Sequence, residues 1–578
     1  MRNTEIVRVF QEIADILEMK GENVFKVRAY QRAARTIEHW PQELETVLKE
    51  DKLQEIPGIG EAIAKKITEL LTAGKLRYYE ELKADMPEGA TALLKVPGIG
   101  PKTAWRLATE LGVKNLEELE RAVREGRVAG LFRMGDKTAE NILSSLQALR
   151  RKDKRIPLGQ AVPLVEDILA SLKDVPGVRN LTAAGSLRRL QETVGDIDIM
   201  GTADDPVLVL DAFVKLPQVM EVLSRGATKA SVVCSGGPQV DVRMVSHRQF
   251  GSLLQYFTGS KQHNIALRER AHQQGLKISE YGISRVDSEE LETFADEESF
   301  YRRLGLQYIP PELREDRGEI ELAERNALPR LVELADMKGD LHIHTDWSDG
   351  HASARDMARE AKKRGYQYVA ITDHSAGLGI AHGLNPERLR EQMAEIKKIN
   401  GEMGRFRLLT GMEVDIKADG ALDMPDDILA QLDIVVASVH SAMNQDEEKM
   451  TARVIKALSN PHLDILGHPT ARLLGERDPV KVRMEDVFKA AKQKGKALEI
   501  NAMPDRLDLN DLHIIRAREI GVKLVLSTDS HNPSHLGLMP FGIGLARRGW
   551  CTAEDILNTR PSGEFLSSLH DSEVEKTR

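Results

Sequence analysis

The sequence predicts a multidomain α/β chain with a helical N-terminal region, a mixed α/β middle and a C-terminal TIM-like barrel. Three observations predict it. Residues 1–150 carry helical periodicity and a repeated glycine hairpin. The middle of the chain mixes helical patterns with short alternating strands, two of which carry acids. From residue 339 onward, apolar strands alternate with helical patterns, and almost every strand ends in a metal-competent side chain. The 578 residues suffice for three or four domains, each able to bury a core.

Composition narrows the class. Two cysteines, Cys234 and Cys551, exclude a disulfide framework and fit a reducing compartment. No run is long enough to span a membrane and the start M-R-N-T-E-I-V has no apolar signal core, so a cytoplasmic location is expected. A net charge of −9 excludes a uniformly basic nucleic-acid binder. The average conceals asymmetry, because residues 1–155 hold 28 Lys/Arg against 25 Asp/Glu. Four of the 16 histidines precede residue 339 and twelve follow it, which points to a separate metal-rich domain.

In the first region, Ile6, Phe10, Ile13 and Leu17 recur at helical spacing. I-P-G-I-G-E-A-I-A-K-K-I at 56–67 is echoed by V-P-G-I-G-P-K-T-A-W-R-L at 96–107, with a weaker third copy around Arg133–Ala139. Each reads as helix, glycine hairpin, helix. Gly58, Gly60, Gly98 and Gly100 permit turns whose backbone N–H groups approach a DNA phosphate, with Lys102 beside them. An αα corner with a glycine C-cap is the alternative. The charged run from Arg150 to Pro157 closes the region as a connector.

The middle region is organised around residues 183–200, A-A-G-S-L-R-R-L-Q-E-T-V-G-D-I-D-I-M. Gly185-Ser186 reads as a tight turn into a helix N-terminus, which favours a phosphate. Asp196 and Asp198 stand two apart in an alternating strand, so both carboxylates leave one face. Their repulsion is relieved by a hard divalent cation such as Mg²⁺, or else by solvent on an exposed strand. Segment 316–338 is highly charged, helix-compatible and without a clear strand, and reads as a linker. The last region presents D-L-H-I-H-T (His342, His344), V-A-I-T-D-H (His374), L-T-G-M-E-V (Glu413), V-A-S-V-H-S (His440), D-I-L-G-H-P (His468) and V-L-S-T-D-S-H (Asp529, His531). Functional residues at strand C-termini describe a barrel active site. Imidazole-rich sets suit Zn²⁺, Mn²⁺ and Fe²⁺.

Gly185-Ser186, Arg189, G-D-I-D at 195–198, V-D-V-R at 240–243 and Y-F-T-G-S at 256–260 resemble the family X DNA polymerases, the group that contains DNA polymerase beta. The resemblance covers roughly residues 1–315, and the histidine-rich part resembles a PHP (polymerase and histidinol phosphatase) domain. It implies a helical domain at 1–85 with the first helix-hairpin-helix and another at 86–155 with the second and third. A polymerase beta-like nucleotidyltransferase palm with an α+β thumb follows at 156–315, then the linker at 316–338. A distorted (β/α)7 PHP barrel occupies 339–578.

The resemblance also implies roles. Asp241 supplies a third carboxylate, so that three acids hold two Mg²⁺ or Mn²⁺ ions about 3.5–4 Å apart. Ser186, Arg189 and the turn amides hold the triphosphate, and Arg155 either joins them or is plain linker. Tyr256, Phe257 and Gly259 select the sugar, while Asn264 and Arg268 reach toward the nascent base pair and the template. Lys66 corresponds to a Schiff-base lysine, with Lys26 and Tyr30 as its neighbours and Lys65 placed to lower its pKa by repulsion; the alternative is a phosphate contact. Ala62, Lys261 and Gln239 depart from the family pattern, which touches the lyase, the nucleotide affinity and the proton path. In the barrel, His342, His344, Glu413 and Asp529 would bind one ion. Glu413, His440 and His468 would bind a second, and Asp349, His374 and His531 a third. His382, His535 and Arg506 are either substrate contacts or ordinary surface residues.

The implied protein is a monomeric repair polymerase filling short gaps in base excision repair, using gapped or primed DNA and dNTPs and associating with the nucleoid when bound to DNA. Its barrel would act as a metal-dependent 3′–5′ exonuclease that shares abasic-site cleavage or 3′-phosphate removal. Two other readings stand beside it: a DNA-end-binding scaffold with a silent polymerase site, and a small-molecule phosphatase tethered to DNA-binding modules.

Overall fold

The computed structural model of the protein describes residues 3–570 apart from 21, 39–43, 50, 51, 57, 58, 85, 88, 95, 97, 98, 132–134, 136, 137, 140, 141, 144, 145, 147–154 and 289. The chain divides into two compact units, 1–154 and 155–578.

In the first unit, α1 (Asn3–Met19) packs on α2 (Val24–Glu38), because Ile6, Phe10, Ile13 and Leu17 share one face and are all fully buried. The helices α3 (Glu61–Ala73), α4 (Arg77–Ala84), α5 (Pro101–Glu110) and α6 (Leu116–Arg124) follow. The repeated sequence folds in the same way twice. Gly60 and Gly100 are the N-caps of α3 and α5 with φ of −82° and −78°. Just before them, the Ile59 and Ile99 amides donate to the Ile56 and Val96 carbonyls at 3.0 Å. These two glycines therefore open helices rather than closing them, which removes the C-cap alternative for Gly60 and Gly100. Two apolar clusters fill the unit, one from Ile6 to Leu82 and one mainly from Ala90 to Leu146.

The second unit begins with α7 (Leu158–Lys173). It continues with β1 (Val178–Ala183), the single turn α8 (Gly185–Arg188), β2 (Ile197–Ala203), β3 (Val219–Arg225), β4 (Lys229–Cys234) and β5 (Gln239–Met244). The sheet order is β1-β2-β5-β4-β3, with β2 and β5 parallel and the other pairs antiparallel. Beyond it come α9 (Phe250–Thr258), α10 (Lys261–Gln273) and the small sheet of β6 (Leu276–Ser279), β7 (Gly282–Arg285) and β8 (Leu291–Glu292).

Segment 316–338, read above as a linker, is a packed strap. It forms α11 (Glu319–Glu324), and Glu319, Ile320 and Ala323 are buried. Glu319 accepts from the backbone amides of Asp316 and Arg317 at 2.9 and 2.7 Å, and its carboxylate lies 2.6 Å from His263 Nδ1 on α10. The Glu319 charge is thus consumed by internal partners, while Glu321, Glu324, Arg325, Arg330 and Glu333 stay exposed.

The strap delivers the chain into β9 (Gly339–Asp340), β10 (Tyr368–Ile371), β11 (Arg407–Asp415), β12 (Ile434–Ser438), β13 (Ile465–Leu466), β14 (Ala497–Asn501) and β15 (Lys523–Ser527). These seven strands pair in sequence order and are all parallel. A parallel bridge between Ile343 and Ser530 links the two ends, so the barrel is nearly closed. Both faces of β10, β12 and β14 are buried, as parallel strands under a helical layer require. Late in the outer layer lies α12 (Met539–Arg548).

Candidate active sites

The first site grows from two adjacent parallel strands. Ile197 and Ile199 point into the core, which turns Asp198 to the opposite face with Asp196 just ahead of β2. In β5 the same alternation buries Val240 and Val242 and leaves Asp241 on that face, directly across from Asp198 in the register. Asp241 accepts from Gln239 Nε2 at 3.0 Å and pairs with Lys229 Nζ at 3.2 Å. Burial first, then repulsion from Asp196 and Asp241, pushes Asp198 up to about 7. That frustration suits a divalent cation, which would remove the repulsion and replace the proton. Gly185 closes the site. Its φ is +60°, and a Cβ there would lie 2.9 Å from Asp198 Oδ2, so only glycine brings the turn this close to the acids.

Other residues expected here divide. Arg189 is committed elsewhere: its Nε donates to Glu315 Oε1 at 2.9 Å and its Nη1 to the Thr258 carbonyl at 2.7 Å. The guanidinium expected on a triphosphate thus sits in a buried ion pair, because Glu315, distant in sequence, folds against it. Arg155 bonds Thr193 through Oγ1 at 2.8 Å and through its carbonyl, placing it beside Gly195. Tyr256 and Phe257 pack edge to face at the end of α9, and Arg243 lies 4.6 Å over the Phe257 ring. Asn264 donates to the Tyr256 carbonyl at 2.7 Å, and a Cβ at Gly259 would meet Asn264 Oδ1 at 2.6 Å, so these residues form one corner. Arg268 is exposed, with Nε on the Asn264 carbonyl at 3.1 Å. Lys229 was missed in the sequence; it lies in an ordinary alternating strand, and only the register aims it at Asp241.

The second site lies where the barrel strands end. Glu413 is central and buried. Its Oε2 is 3.3 Å from His342 Nε2, 3.6 Å from His344 Nε2 and 2.9 Å from His374 Nδ1. Its Oε1 is 3.3 Å from His440 Nε2 and 3.0 Å from His468 Nε2. Asp529 Oδ1 is 3.3 Å from His344 Nε2. Asp349 Oδ2 is 3.4 Å from His374 Nε2 and 3.6 Å from His531 Nε2. Ligands about 2.0–2.1 Å from a tetrahedral ion stand roughly 3.4 Å apart, so these spacings fit. The donor set fits as well, for His342 Nε2, both ring nitrogens of His344 and His468 Nδ1 are buried without a hydrogen-bond partner. All nine expected ligands converge. Their partition is looser than expected, since His344 also faces Asp349 and His531, and His374 also faces Glu413 and His440.

Electrostatics divides the imidazoles. Burial and the neighbouring imidazoles His374 and His531 hold His344 down to about 3, and burial with Arg506 holds His468 down to about 4, both in the neutral ligand form. For His374, burial is outweighed by Glu413 and Asp349, which carry it up to about 10. Glu499, absent from the sequence reading, orients the cluster. It accepts from His342 Nδ1 at 2.7 Å and from the His468 amide at 2.6 Å, so His342 presents Nε2 inward. Arg506 Nε lies 3.2 Å from Asp529 Oδ2 while its buried Nη1 lacks a partner. His535 Nδ1 accepts from the His531 amide at 3.4 Å, whereas His382 is exposed and its carbonyl accepts from Arg388.

In the first unit, Lys66 and Lys26 lie 5.1 and 5.4 Å from the Tyr78 ring centroid, and Tyr30 stacks on that ring. Lys65, expected to act on Lys66 by repulsion, is paired with Glu61 at 2.8 Å, which raises its own pKa. A Cβ at Gly60 or Gly100 would meet nothing within 4 Å, so both face open space. Gly58, Gly98 and, in the third echo, Arg133, Met134, Asp136 and Lys137 lie outside the described residues, as does the Lys102 side chain.

Residues 1–76 match the helix-hairpin-helix domain family and 90–148 the SAM-like helix-hairpin-helix tandem family. Residues 253–315 match the DNA polymerase beta thumb family and 340–503 the PHP domain family. The PHP part is 33% identical over 234 residues to a protein named "Probable phosphatase" from Thermoanaerobacter sp. (strain X514), covering 38% of this chain and 89% of that one. A "Probable phosphatase" from Caldanaerobacter subterraneus subsp. tengcongensis is 32% identical over the same length, covering 86% of its own chain. A relative from Bacillus subtilis (strain 168), named "DNA polymerase/3′-5′ exonuclease PolX", is 42% identical over 562 residues, covering 97% of this chain and 98% of the relative. The phosphatases account for the barrel alone, whereas the Bacillus protein accounts for helical units, aspartate sheet, thumb and barrel in one order, and the chain therefore belongs to the PolX family, the family X polymerases that carry a C-terminal PHP domain.

Proposed function

We propose that the protein is a DNA-directed DNA polymerase that fills short gaps in repair and trims 3′ ends as a 3′–5′ exonuclease with its barrel. The observation that carries the reading is the presence, in one compact unit, of two cation-ready clusters of different chemistry. One is three carboxylates beside a glycine turn; the other is nine imidazole and carboxylate ligands around Glu413. Divalent cations, Mg²⁺ or Mn²⁺ at the aspartates and up to three Zn²⁺, Mn²⁺ or Fe²⁺ in the barrel, supply Lewis-acid charge and acidify the attacking hydroxyl or water.

The side chains supply the rest. Asp241, held by Gln239 and Lys229, orients the primer hydroxyl and takes its proton. Ser186 and the turn amides cradle the triphosphate, with Arg155 beside them, and Arg189 joins only by leaving Glu315. The corner of Tyr256, Phe257, Gly259 and Asn264 meets the sugar and the nascent base pair, and Arg268 faces the template. In the barrel, the unpartnered Arg506 Nη1 and His535 receive the scissile phosphate. The hairpins at Gly60 and Gly100 grip the DNA backbone without reading sequence. Lys66, with Lys26 on the Tyr78 ring, serves as a phosphate contact; borohydride trapping on a 5′-deoxyribose-phosphate end would instead make it a Schiff-base lysine. The domain division is 1–85, 86–155, 156–315, a strap at 316–338 and 339–578. No described helix is long and apolar enough to cross a membrane, and the protein acts as a cytoplasmic monomer on nucleoid DNA.

The test is a denaturing gel of a 5′-labelled primer on a one-nucleotide-gapped duplex with Mn²⁺, with and without the four dNTPs. Extension by one nucleotide with dNTPs and shortening without them is the expected pair. Shortening alone would leave a DNA-tethered phosphoesterase, and neither would leave a DNA-binding scaffold.

A further inference from the structure

The loop between the phosphate-facing turn and the metal-facing aspartates, residues 189–195, rests on the barrel at three points. Arg548 on α12 donates from Nη1 to the Arg189 carbonyl at 2.9 Å and to Glu315 Oε1 at 3.0 Å. The same Glu315 oxygen accepts from Arg189 Nε at 2.9 Å and from Gln191 Nε2 at 2.6 Å. Leu190, at φ +52°, presses against Gly544 of α12, where a Cβ would meet its Cδ1 at 2.4 Å. Glu192 accepts from Arg472 Nη2 at 2.6 Å, and Arg472 is anchored in turn by the carbonyls of Arg506 and Leu507. Arg548 and Arg472 are both buried.

These contacts span the loop from its first residue to Glu192, and the only regular pairing within it is Thr193–Val194 against Ile156–Pro157. The loop joins Ser186 to Asp196; the Ala184 amide ties the turn to the Asp198 carbonyl at 2.8 Å, and the loop contacts fix how Ser186, Arg189 and Asp196 stand around that tie. In transfer reactions a 1 Å error in such a distance costs about 10²-fold in rate. Two buried guanidiniums, each with several acceptors in a fixed fork, are suited to holding it. We propose that Arg472 and Arg548 are positioning residues for nucleotidyl transfer, so that the barrel is a working part of the polymerase half; this rests on the reading of Asp196, Asp198 and Asp241 given above.

The test uses the full-length protein with Arg548→Gln, Arg548→Lys and Glu192→Gln, the last altering the more exposed end of a bridge. Single-nucleotide insertion is resolved into kcat and dNTP KM, 3′ trimming is measured on the same preparations, and hydrogen exchange is followed in 189–196. Arg548→Gln should lower insertion kcat by about 10- to 100-fold, Arg548→Lys should recover part of it, and Glu192→Gln should lose several-fold. KM and trimming should stay within about threefold, and exchange in the loop should quicken. Wild-type insertion kcat in both Glu192→Gln and Arg548→Gln would overturn the proposal, as would parallel loss of insertion and trimming. A wild-type protein that trims but inserts nothing would instead overturn the reading of the aspartates, and this inference with it.

Discussion

Asp198→Asn tests the electrostatic frustration of the aspartate site apart from catalysis. In the fold, burial and the two neighbouring carboxylates push Asp198 up to about 7 from an ordinary value of 3.8. The unfolded chain ionises this group near pH 4 and the folded chain near pH 7, so the native state binds the extra proton between them. Stability therefore falls as pH rises through that window; the penalty is complete above pH 7 and absent below pH 4. Three pKa units at 1.36 kcal/mol each make it about 4 kcal/mol. Asn keeps the shape and drops the charge. For a unit of roughly 420 residues, at about 2.1 cal/mol/K per residue, that energy moves the melting midpoint by about 5 °C. In chelator at pH 8, Asp198→Asn should melt about 5 °C above wild type, and at pH 5 roughly two thirds of the gain should vanish. Adding Mn²⁺ should raise the wild type by more than the variant, the increment both share being that of the barrel ligands. Scanning calorimetry reads all three, and a variant that melts lower in chelator, or gains equally at both pH values, would refute the reasoning.

Asp241→Ala should cut primer extension by at least about 10²-fold and spare trimming, with His344→Ala doing the reverse; trimming lost in a folded Asp241→Ala protein would refute the two-site reading. Gly185→Ala, which forces a Cβ against Asp198 at positive φ, should lower extension on the order of 10²-fold with trimming unchanged, as read on the same gel. Glu499→Gln should weaken barrel metal affinity by about 10- to 100-fold in chelator competition, and unaltered affinity would show that His342 needs no carboxylate to hold its ring.

What was legible in the sequence was periodicity. Strand alternation placed Asp196 and Asp198 on one face because Ile197 and Ile199 had to be buried on the other, whereas Asp241 joined them through the resemblance, and the parallel register then set it across from Asp198. Strand-end position gathered the histidines, since parallel strands of a barrel all finish on one rim. Asp349 follows no strand end, and only the resemblance named it. Glu499 was invisible for a different reason: a buried acid in an apolar strand announces a partner without saying which, and His342 lies 157 residues away.

The same limit explains why 316–338 read as a linker and Arg189 as a triphosphate contact. Arginines and glutamates carry the composition of solvated surface, yet Glu315, Glu319, Arg472 and Arg548 are half-buried or buried, each answered by a partner on another element. A buried ion pair contributes little net stability, because desolvation offsets its attraction, but losing one partner costs several kcal/mol. Such pairs therefore specify which surfaces meet more than how tightly. Here the surfaces they specify are the aspartate sheet and the barrel, so the two chemistries of the chain are held in one register by residues that touch neither set of reacting atoms.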